Sequence, residues 1–199
     1  MTPGEQGVSR ATPTRGKSRE AAILDAAVGL IAETGYERVS VDAIAARARA
    51  SKATMYRHWA GKAELVADAL RRRAEGDAAV PPDTGSVRGD LLANADGIAM
   101  SIEGSGGPSL LGLVEGIRDD NVLRALVRQQ IDTARDRSAT ALIEHARARG
   151  DSIRADRVPG AFDIIVSHLF LAALLRPGET GTGERSRLVD DVLLPLLTN

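Results

Sequence analysis

Apolar residues near the start of the chain recur every three to four positions, which is the spacing of amphipathic helices. The first such pattern follows Ser18, which suits an N-cap, and ends at Gly35, a typical residue beyond a helix C-terminus. Two shorter patterns follow Ser40 and Ser51, which also suit N-caps, and a longer one begins at Lys62. The pattern therefore predicts four helices between positions 18 and 74.

Helical spacing continues to the end of the sequence, with breaks that are rich in glycine, proline and polar residues. No run alternates apolar and polar residues as a half-buried strand does, so the predicted fold class is all-α. The later helices are predicted at 91–102, 110–117, 120–149, 157–175 and 185–197, with breaks at 81–85, 104–108 and 177–183.

The composition is that of an ordinary folded protein, since 43% of the residues are hydrophobic and 27% are charged. The sequence has no cysteine, which excludes disulfides, thiolate metal sites and a cysteine nucleophile. Positions 1–75 hold 13 basic and 9 acidic residues, a net charge of +4, whereas positions 76–199 hold 13 and 18, a net charge of −5. A basic N-terminal part joined to an acidic remainder suits a protein that binds a polyanion at one end.

The hydrophobic stretches are too short to suggest secretion or membrane insertion. The first twenty residues are polar and lack the apolar centre of a signal peptide. The longest apolar run, 164–175, is shorter than a membrane span and is interrupted by Ser167 and His168. We therefore expect a cytoplasmic protein with no membrane partner.

The segment 39–65 has the layout of two short helices joined by a tight turn. Ala45 is small enough to let the helices approach closely, and Ile44, Met55 and Trp59 can fill the space between them. With that face buried, the second helix presents its polar residues outward, namely Ser51, Lys52, Thr54, Tyr56 and His58.

Those outward side chains suit the major groove of DNA. Lys52 and Thr54 can reach base edges or phosphates, and Ala53 with Thr54 can contact a thymine methyl group. Phosphate oxygens are the better targets for Tyr56, His58 and Lys62. Further candidates for DNA contact are Arg15, Lys17 and Arg19 near the N-terminus, the caps Ser40 and Ser51, and Arg49 in the turn.

Residues 18–66 resemble the TetR family of transcriptional regulators. The resemblance is carried by the run SKATMYRHW, from Ser51 to Trp59, and by Lys62 and Leu65 after it. It implies that Lys52, Ala53 and Thr54 face the bases, and that Tyr56, His58 and Lys62 hold the DNA backbone.

One position departs from the family pattern. The turn between the two helices often reads Ala-Gly-Val, and this sequence has Arg49 in place of the glycine. A left-handed backbone at that position costs a non-glycine residue about 1 kcal/mol. We therefore expect an altered turn, with Arg49 as an additional candidate for a phosphate contact.

Beyond residue 66 the resemblance is limited to helix layout. The tail from Ala146 is similar to the C-terminal domain of many members, in which the last two helices form a four-helix bundle with a second subunit. The residues agree, because apolar side chains surround the helix at 164–175 on every side and one face then needs a partner. The predicted dimerisation residues are Phe162, Ile165, Val166, Leu169, Leu188 and Val192.

These features predict a ligand-responsive transcriptional repressor that binds a palindromic operator as a homodimer and is released by an unidentified small-molecule effector. The predicted organisation is a flexible basic arm over 1–17, a three-helix head with a helix-turn-helix over 18–62, and a helical effector-binding and dimerisation domain over 63–199. Only Phe162 and Phe170 supply aromatic rings to the C-terminal half, so we expect a mostly aliphatic effector cavity.

Three other functions remain open at this point: a DNA-binding protein without an effector, a small-molecule-binding protein whose DNA-binding part no longer functions, and an enzyme. The enzyme is disfavoured, because Asp163, Ser167 and His168 lie close together on one helix, where adjacent side chains diverge. The glycine-rich segment 104–107 follows a helix instead of a strand, and no HExxH motif is present. We predict no catalytic residue, no cofactor and no metal.

Overall fold

A computed structural model describes residues 15–75, 82–103, 107–176 and 181–198 of the chain. These ranges are almost entirely helical and contain no β-strand, which confirms the predicted all-α fold. The helices are α1 (Arg15–Thr34), α2 (Val41–Arg47), α3 (Lys52–His58), α4 (Lys62–Glu75), α5 (Val87–Glu103), α6 (Gly107–Asp119), α7 (Asn121–Arg149), α8 (Val158–Leu175), α9 (Thr182–Arg187) and α10 (Leu194–Thr198). A 3₁₀ turn (Ala155–Arg157) precedes α8, and a π-helical turn (Leu188–Leu193) joins α9 to α10.

Local signals fix several helix ends where the sequence predicts them. The Ser40 hydroxyl accepts a hydrogen bond from the Ala43 amide at 3.1 Å and caps α2. The Ser51 hydroxyl accepts one from the Thr54 amide, also at 3.1 Å, and caps α3. Gly35 has a φ of 80°, and its amide donates to an α1 carbonyl, which ends that helix.

Three predicted boundaries are wrong. Helix α1 begins at Arg15, so Ser18 lies inside the helix instead of capping it. Helix α6 includes Pro108 in its first turn, where proline is tolerated because its missing amide has no intrahelical partner. Helix α9 begins at Thr182, within the segment that the sequence assigns to a loop. Residues 1–14, 104–106 and 177–180, which include most of the predicted arm and parts of two breaks, lie outside the described residues.

The first apolar core joins α1–α3, which we call the head, to α4 and to the adjacent ends of α6 and α7. Ile44 and Met55 contribute from the helix-turn-helix, and Leu113 and Leu123 contribute from α6 and α7. Helix α1 packs against both α4 and α6. The head therefore shares its core with the rest of the protein instead of standing apart from it.

The second apolar core holds together α5, the C-terminal half of α7, α8, the π-helical turn and α10. We call α5–α10 the body, in which α6 contacts α8 and α9 contacts α5. Leu91 of α5, Leu142 of α7, Ile165 of α8 and Leu193 in the π-helical turn are all fully buried in it. Helix α7 enters both cores, the first near its N-terminus and the second along its C-terminal half. This 29-residue helix is about 43 Å long, so it connects the head to the far end of the body.

Most of the predicted dimerisation residues lie inside the chain's own core. Phe162, Ile165, Leu169 and Leu188 are buried in the second core and present no surface to another subunit, so their assignment to an interface is wrong. Phe162, Ile165 and Leu169 recur on one stripe of α8 because that stripe packs against α5 and α7, whereas Leu188 reaches the same core from the π-helical turn. Val192 is exposed and Val166 is half-buried.

The opposite face of α8 is exposed, with Asp163 and Ser167 in its first part and apolar side chains toward its C-terminus. Leu171 and Leu175 lie there, with 55% and 67% of their surface accessible. The stretch Ala155–Leu175 is long and apolar enough to cross a membrane, although the apolar run at 164–175 alone is too short to do so. The core helix of a soluble protein can have the same length and composition. The buried stripe of α8 matches such a core helix.

Candidate DNA-binding surface

Helix α3 is held by two buried side chains on its inner side. Met55 and Trp59 are only 1% and 6% exposed, and the Trp59 indole donates a hydrogen bond to Asp68 of α4 at 3.1 Å. These contacts fix the rotation of α3 about its axis. Its other side therefore faces solvent, as the sequence predicts, and presents Ser51, Lys52, Ala53, Tyr56, Arg57 and His58.

The turn between α2 and α3 is tight and strained at one residue. Arg49 has a φ of 51°, the one positive φ of a non-glycine among the described residues, at the position where the family often has glycine. The Ala50 amide donates to the Ala45 carbonyl at 2.9 Å and closes the turn. The Arg49 side chain is exposed, and its carbonyl accepts a hydrogen bond from Arg19 of α1 at 3.3 Å.

Lys52 begins α3 and forms an ion pair that the sequence analysis missed. Its ammonium lies 2.6 Å from a carboxylate oxygen of Asp42, in the first turn of α2. The Lys52 ammonium donates a hydrogen bond to the Asp42 carboxylate, and this bond together with the negative charge of Asp42 raises the pKa of Lys52. Asp42 and Lys52 are ten positions apart on different helices, so no helical spacing in the sequence links them. The pair forms because the packing of α2 against α3 brings the two side chains together.

Ser51 and Thr54 form a small hydroxyl cluster at the start of α3. Their side-chain oxygens are 2.8 Å apart, while the Ser51 oxygen also caps the helix. Thr54 is consequently half-buried, with part of its side chain turned toward Ser51. Thr54 is thus less accessible than Lys52 or Tyr56.

Tyr56 and His58 extend the surface toward the C-terminus of α3. Tyr56 is 57% exposed, the accessibility that a phosphate contact requires. His58 is also exposed, and its ring lies tilted against Trp59 with the ring centres 5.5 Å apart. Both side chains therefore lie where the sequence predicts them.

Lys62, the first residue of α4, is engaged within the protein. Its ammonium donates to the Tyr36 carbonyl at 3.2 Å and lies 4.0 Å from the centre of the Tyr36 ring. A phosphate contact by Lys62 would require the side chain to leave Tyr36. The structure thus brings Lys52, Tyr56 and His58 together on one surface but keeps Lys62 apart from them.

The three basic residues predicted for an N-terminal arm belong to α1. Arg15 and Lys17 lie in the first turn of that helix, and their side chains are not among those described. Arg19 is exposed and contacts the α2–α3 turn through the Arg49 carbonyl. The predicted end of the arm at residue 17 is therefore wrong, because helix geometry already begins at Arg15.

A partly buried polar contact ties the head to the body, and sequence reasoning missed it. The Tyr36 hydroxyl donates to Asp120 at 2.6 Å, and Asp120 caps α7 by accepting from the Val122 and Leu123 amides. The Tyr36 hydrogen bond is the main reason that the pKa of Asp120 is lowered. Burial, helped by this bond, raises the pKa of Tyr36. Gly116 of α6 leaves room for the ring, since a Cβ there would lie 2.5 Å from its atoms.

The far end of the body contains a second polar network, centred on Arg149. Its guanidinium reaches Asp83 at 2.5 Å, the 1% exposed Asp90 at 2.8 Å and Asp151 at 3.0 Å. Burial acts to raise the pKa of Asp90, but hydrogen bonds from Thr84 and Arg149 outweigh it and the net pKa is lowered. Asp83 and Asp90 also lie near His145, as metal ligands would. Because Arg149 already pairs with both carboxylates, we interpret the cluster as an ion-pair network.

Helices α2 and α3 are short and joined by a tight turn, and α3 buries one side against the protein while its polar side faces solvent. This arrangement is typical of helix-turn-helix DNA-binding regulators. Comparison with known proteins narrows the class. Residues 23–69 match the family of bacterial regulatory proteins, tetR family, and residues 81–192 match the tetracyclin repressor-like C-terminal domain. The chain belongs to the TetR family of transcriptional regulators, as its sequence suggests.

Similar proteins extend over nearly the whole chain. An HTH-type transcriptional regulator from Mycobacterium tuberculosis is 34% identical over 188 residues, which are 94% of this chain and 91% of the relative. The DNA-binding transcriptional repressor TetR of Mycobacteroides abscessus is 31% identical over 186 residues, covering 92% and 96%. A tetR-family regulator from Streptomyces coelicolor shares the fold, with a TM-score of 0.66 and 22% identity over 88% of this chain and 78% of that one. The family and these relatives are regulators, which confirms that the chain is not an enzyme.

Proposed function

We propose that this chain is a ligand-responsive repressor that acts in the cytoplasm and binds a palindromic operator as a homodimer. The observation that carries the proposal is the outer surface of α3, where Lys52 and Tyr56 are exposed while Met55 and Trp59 are buried beneath them. In a dimer, two such helices enter successive major grooves about 34–36 Å apart or somewhat more.

Within this surface the side chains have different roles. Lys52, Ala53 and Thr54 face base edges at the start of α3, where the helix enters the groove. Tyr56 and His58 hold phosphates, and the exposed residues Ser40, Ser51, Arg19 and Arg49 assist them. Lys62 would join only after releasing Tyr36, so we assign it no contact in the first instance.

A binding measurement on duplexes selected from a random pool tests the DNA-binding function. We expect Lys52→Ala combined with Tyr56→Ala to abolish recognition of the selected duplex. Arg147→Ala removes one exposed charge at the opposite end of α7 and should leave binding unchanged. Tyr56→Ala alone should weaken binding to all DNA sequences alike, whereas Thr54→Ala should change which DNA sequence the protein prefers. Failure of the wild-type protein to prefer any sequence would contradict the proposal.

The exposed apolar end of α8 supports the dimer. Leu171 and Leu175 are exposed apolar residues four positions apart on α8, and a second copy of the chain would bury them. The revised interface therefore uses the outer face of α8 instead of the buried stripe that the sequence suggested.

A charged substitution at that face tests the dimer. Leu171→Asp should shift the protein to monomers in sedimentation experiments and weaken operator binding. Val122→Asp is the matched control, because Val122 is 57% exposed and Leu171 is 55% exposed, but Val122 lies at the start of α7. Equal behaviour of the two variants would remove the support for an α8 interface.

Effector release requires that a ligand bind more tightly to a state that does not fit the operator. We place the effector among the helices between residues 62 and 175, with an apolar compound favoured because aromatic residues are scarce there. Apolar compounds that raise the melting temperature should displace the selected duplex. If compounds that stabilise the protein leave the complex intact, the protein binds DNA constitutively.

A further inference from the structure

Asp42 places a negative charge on the surface that meets DNA. Its carboxylate lies in the first turn of α2, within 2.6 Å of the Lys52 ammonium, and both side chains are more than half exposed. A carboxylate near phosphates weakens binding to every DNA sequence by repulsion. Its presence therefore needs a reason other than affinity.

Stability of the fold does not supply that reason. Exposed ion pairs between flexible side chains contribute little to folding, and this pair lies fully on the surface. Lys52, however, is the first residue of α3, where the positive end of the helix dipole disfavours a cation. Asp42 offsets that local repulsion and holds the ammonium beside the start of α3.

The position of Lys52 matters because lysine is a poor discriminator when it is free to move. A flexible four-carbon side chain with a point charge finds phosphates along any sequence. A restrained lysine at the start of the recognition helix reaches base edges with less freedom to bind the backbone instead. On the basis of the function proposed above, we propose that Asp42 is a positioning residue that directs Lys52 to bases and so increases operator specificity.

The chain contains a matched pair for comparison. Arg47 and Glu33 join α2 to α1 with the same separation of 2.6 Å and are also partly exposed, but neither lies on α3. Glu33→Gln and Asp42→Asn each remove one negative charge from the head and break one ion pair. Only the second change releases a residue that we assign to base contact.

The experiment measures dissociation constants for two duplexes, one selected by the wild-type protein from a random pool and one scrambled, at several salt concentrations. For Asp42→Asn we expect tighter binding to the scrambled duplex and no gain on the selected one. The ratio of the two constants should then fall by about fivefold to tenfold, the lower part of the range for one base contact. Glu33→Gln should leave the ratio unchanged, and Asp42→Glu should restore it because the carboxylate is retained.

A Lys52→Ala background distinguishes positioning from simple charge. There, Asp42→Asn should no longer change the ratio, because the side chain that it positions is absent. An unchanged ratio in the single variant, an equal change with Glu33→Gln, or a full effect without Lys52 would each overturn the proposal. A wild-type protein that selects no sequence would instead refute the proposed function, so the two failures are distinguishable.

Discussion

The two ends of α7 are fixed by opposite kinds of polar contact. Near the head, the Asp120 carboxylate accepts hydrogen bonds from neutral donors, namely the Tyr36 hydroxyl and two backbone amides. At the far end, the Arg149 guanidinium lies among three carboxylates, one of which, Asp90, is fully buried.

The difference shows where the molecule is rigid. Separating a buried ion pair is strongly unfavourable, whereas a hydrogen bond to a neutral hydroxyl is exchanged for water at lower cost. The contact that joins head to body is thus the weaker of the two.

The largest expected effect is at the distal end. Asp90→Ala removes the acceptor for Thr84 and leaves Arg149 without its buried partner, which should lower the free energy of unfolding by about 3 kcal/mol. Chemical denaturation measures the loss. Asp119→Ala removes an exposed carboxylate paired with its neighbour Arg118 and should change little. Equal effects would mean that the buried network is not a special source of stability.

A substitution at the tight contact between head and body should have the next largest effect. Gly116→Ala places a Cβ 2.5 Å from the Tyr36 ring and should destabilise the protein by about 2 kcal/mol, because the buried ring cannot move away. Gly97→Ala is the control, since it lies in α5 with open space around it and should instead stabilise by about 0.5–1 kcal/mol. Thermal unfolding of both variants would show opposite shifts, and a stabilised Gly116→Ala would mean that the junction is loose.

The hydrogen bond at the same junction predicts a pH dependence. The pKa of Asp120 is lowered below its ordinary 3.8, so its contribution is present above that pH and is lost as pH falls through the folded-state value. Tyr36→Phe should therefore cost about 1.5 kcal/mol at pH 7 and less below pH 3.8. Tyr56→Phe changes an exposed hydroxyl and should be neutral for stability at both pH values. If Tyr36→Phe lowers the free energy of unfolding equally at both pH values, the loss comes from altered packing of the ring and not from the hydrogen bond to Asp120.

The smallest expected effect separates stability from DNA binding within the head. Arg49→Gly relieves the positive φ of 51° and should stabilise by about 1 kcal/mol. If Arg49 contacts a phosphate, the same variant should reduce the slope of the logarithm of the binding constant against the logarithm of the salt concentration by about one. Arg49→Lys keeps the charge and the strain, so it should change neither quantity. A stabilised Arg49→Gly with unchanged salt dependence would remove Arg49 from the DNA-binding surface.

Local signals made the helix-turn-helix predictable. Ser40 and Ser51 cap their helices through bonds to residues three positions ahead, and Gly35 ends α1 through its own backbone conformation. Such contacts depend on neighbours in sequence, so spacing and residue type suffice to find them. Burial of Met55 and Trp59 followed in the same way from their spacing of four.

Sequence reasoning failed where side chains meet across helices. It placed Phe162 and Leu169 in a subunit interface, because an all-round apolar helix does not reveal which face packs inside its own chain. It also missed the contact of Lys62 with the carbonyl and ring of Tyr36, because nothing local indicates that contact, and the predicted DNA contact of Lys62 stays a prediction.

The sequence by itself determined the helical class, the caps Ser40 and Ser51 and the outward side of α3, since short-range hydrogen bonds and apolar periodicity set these features. The tertiary structure alone decided the partners of Asp42, Tyr36 and Arg149. Those partners lie on other helices, and only the packing of apolar faces brings the polar groups within bonding distance.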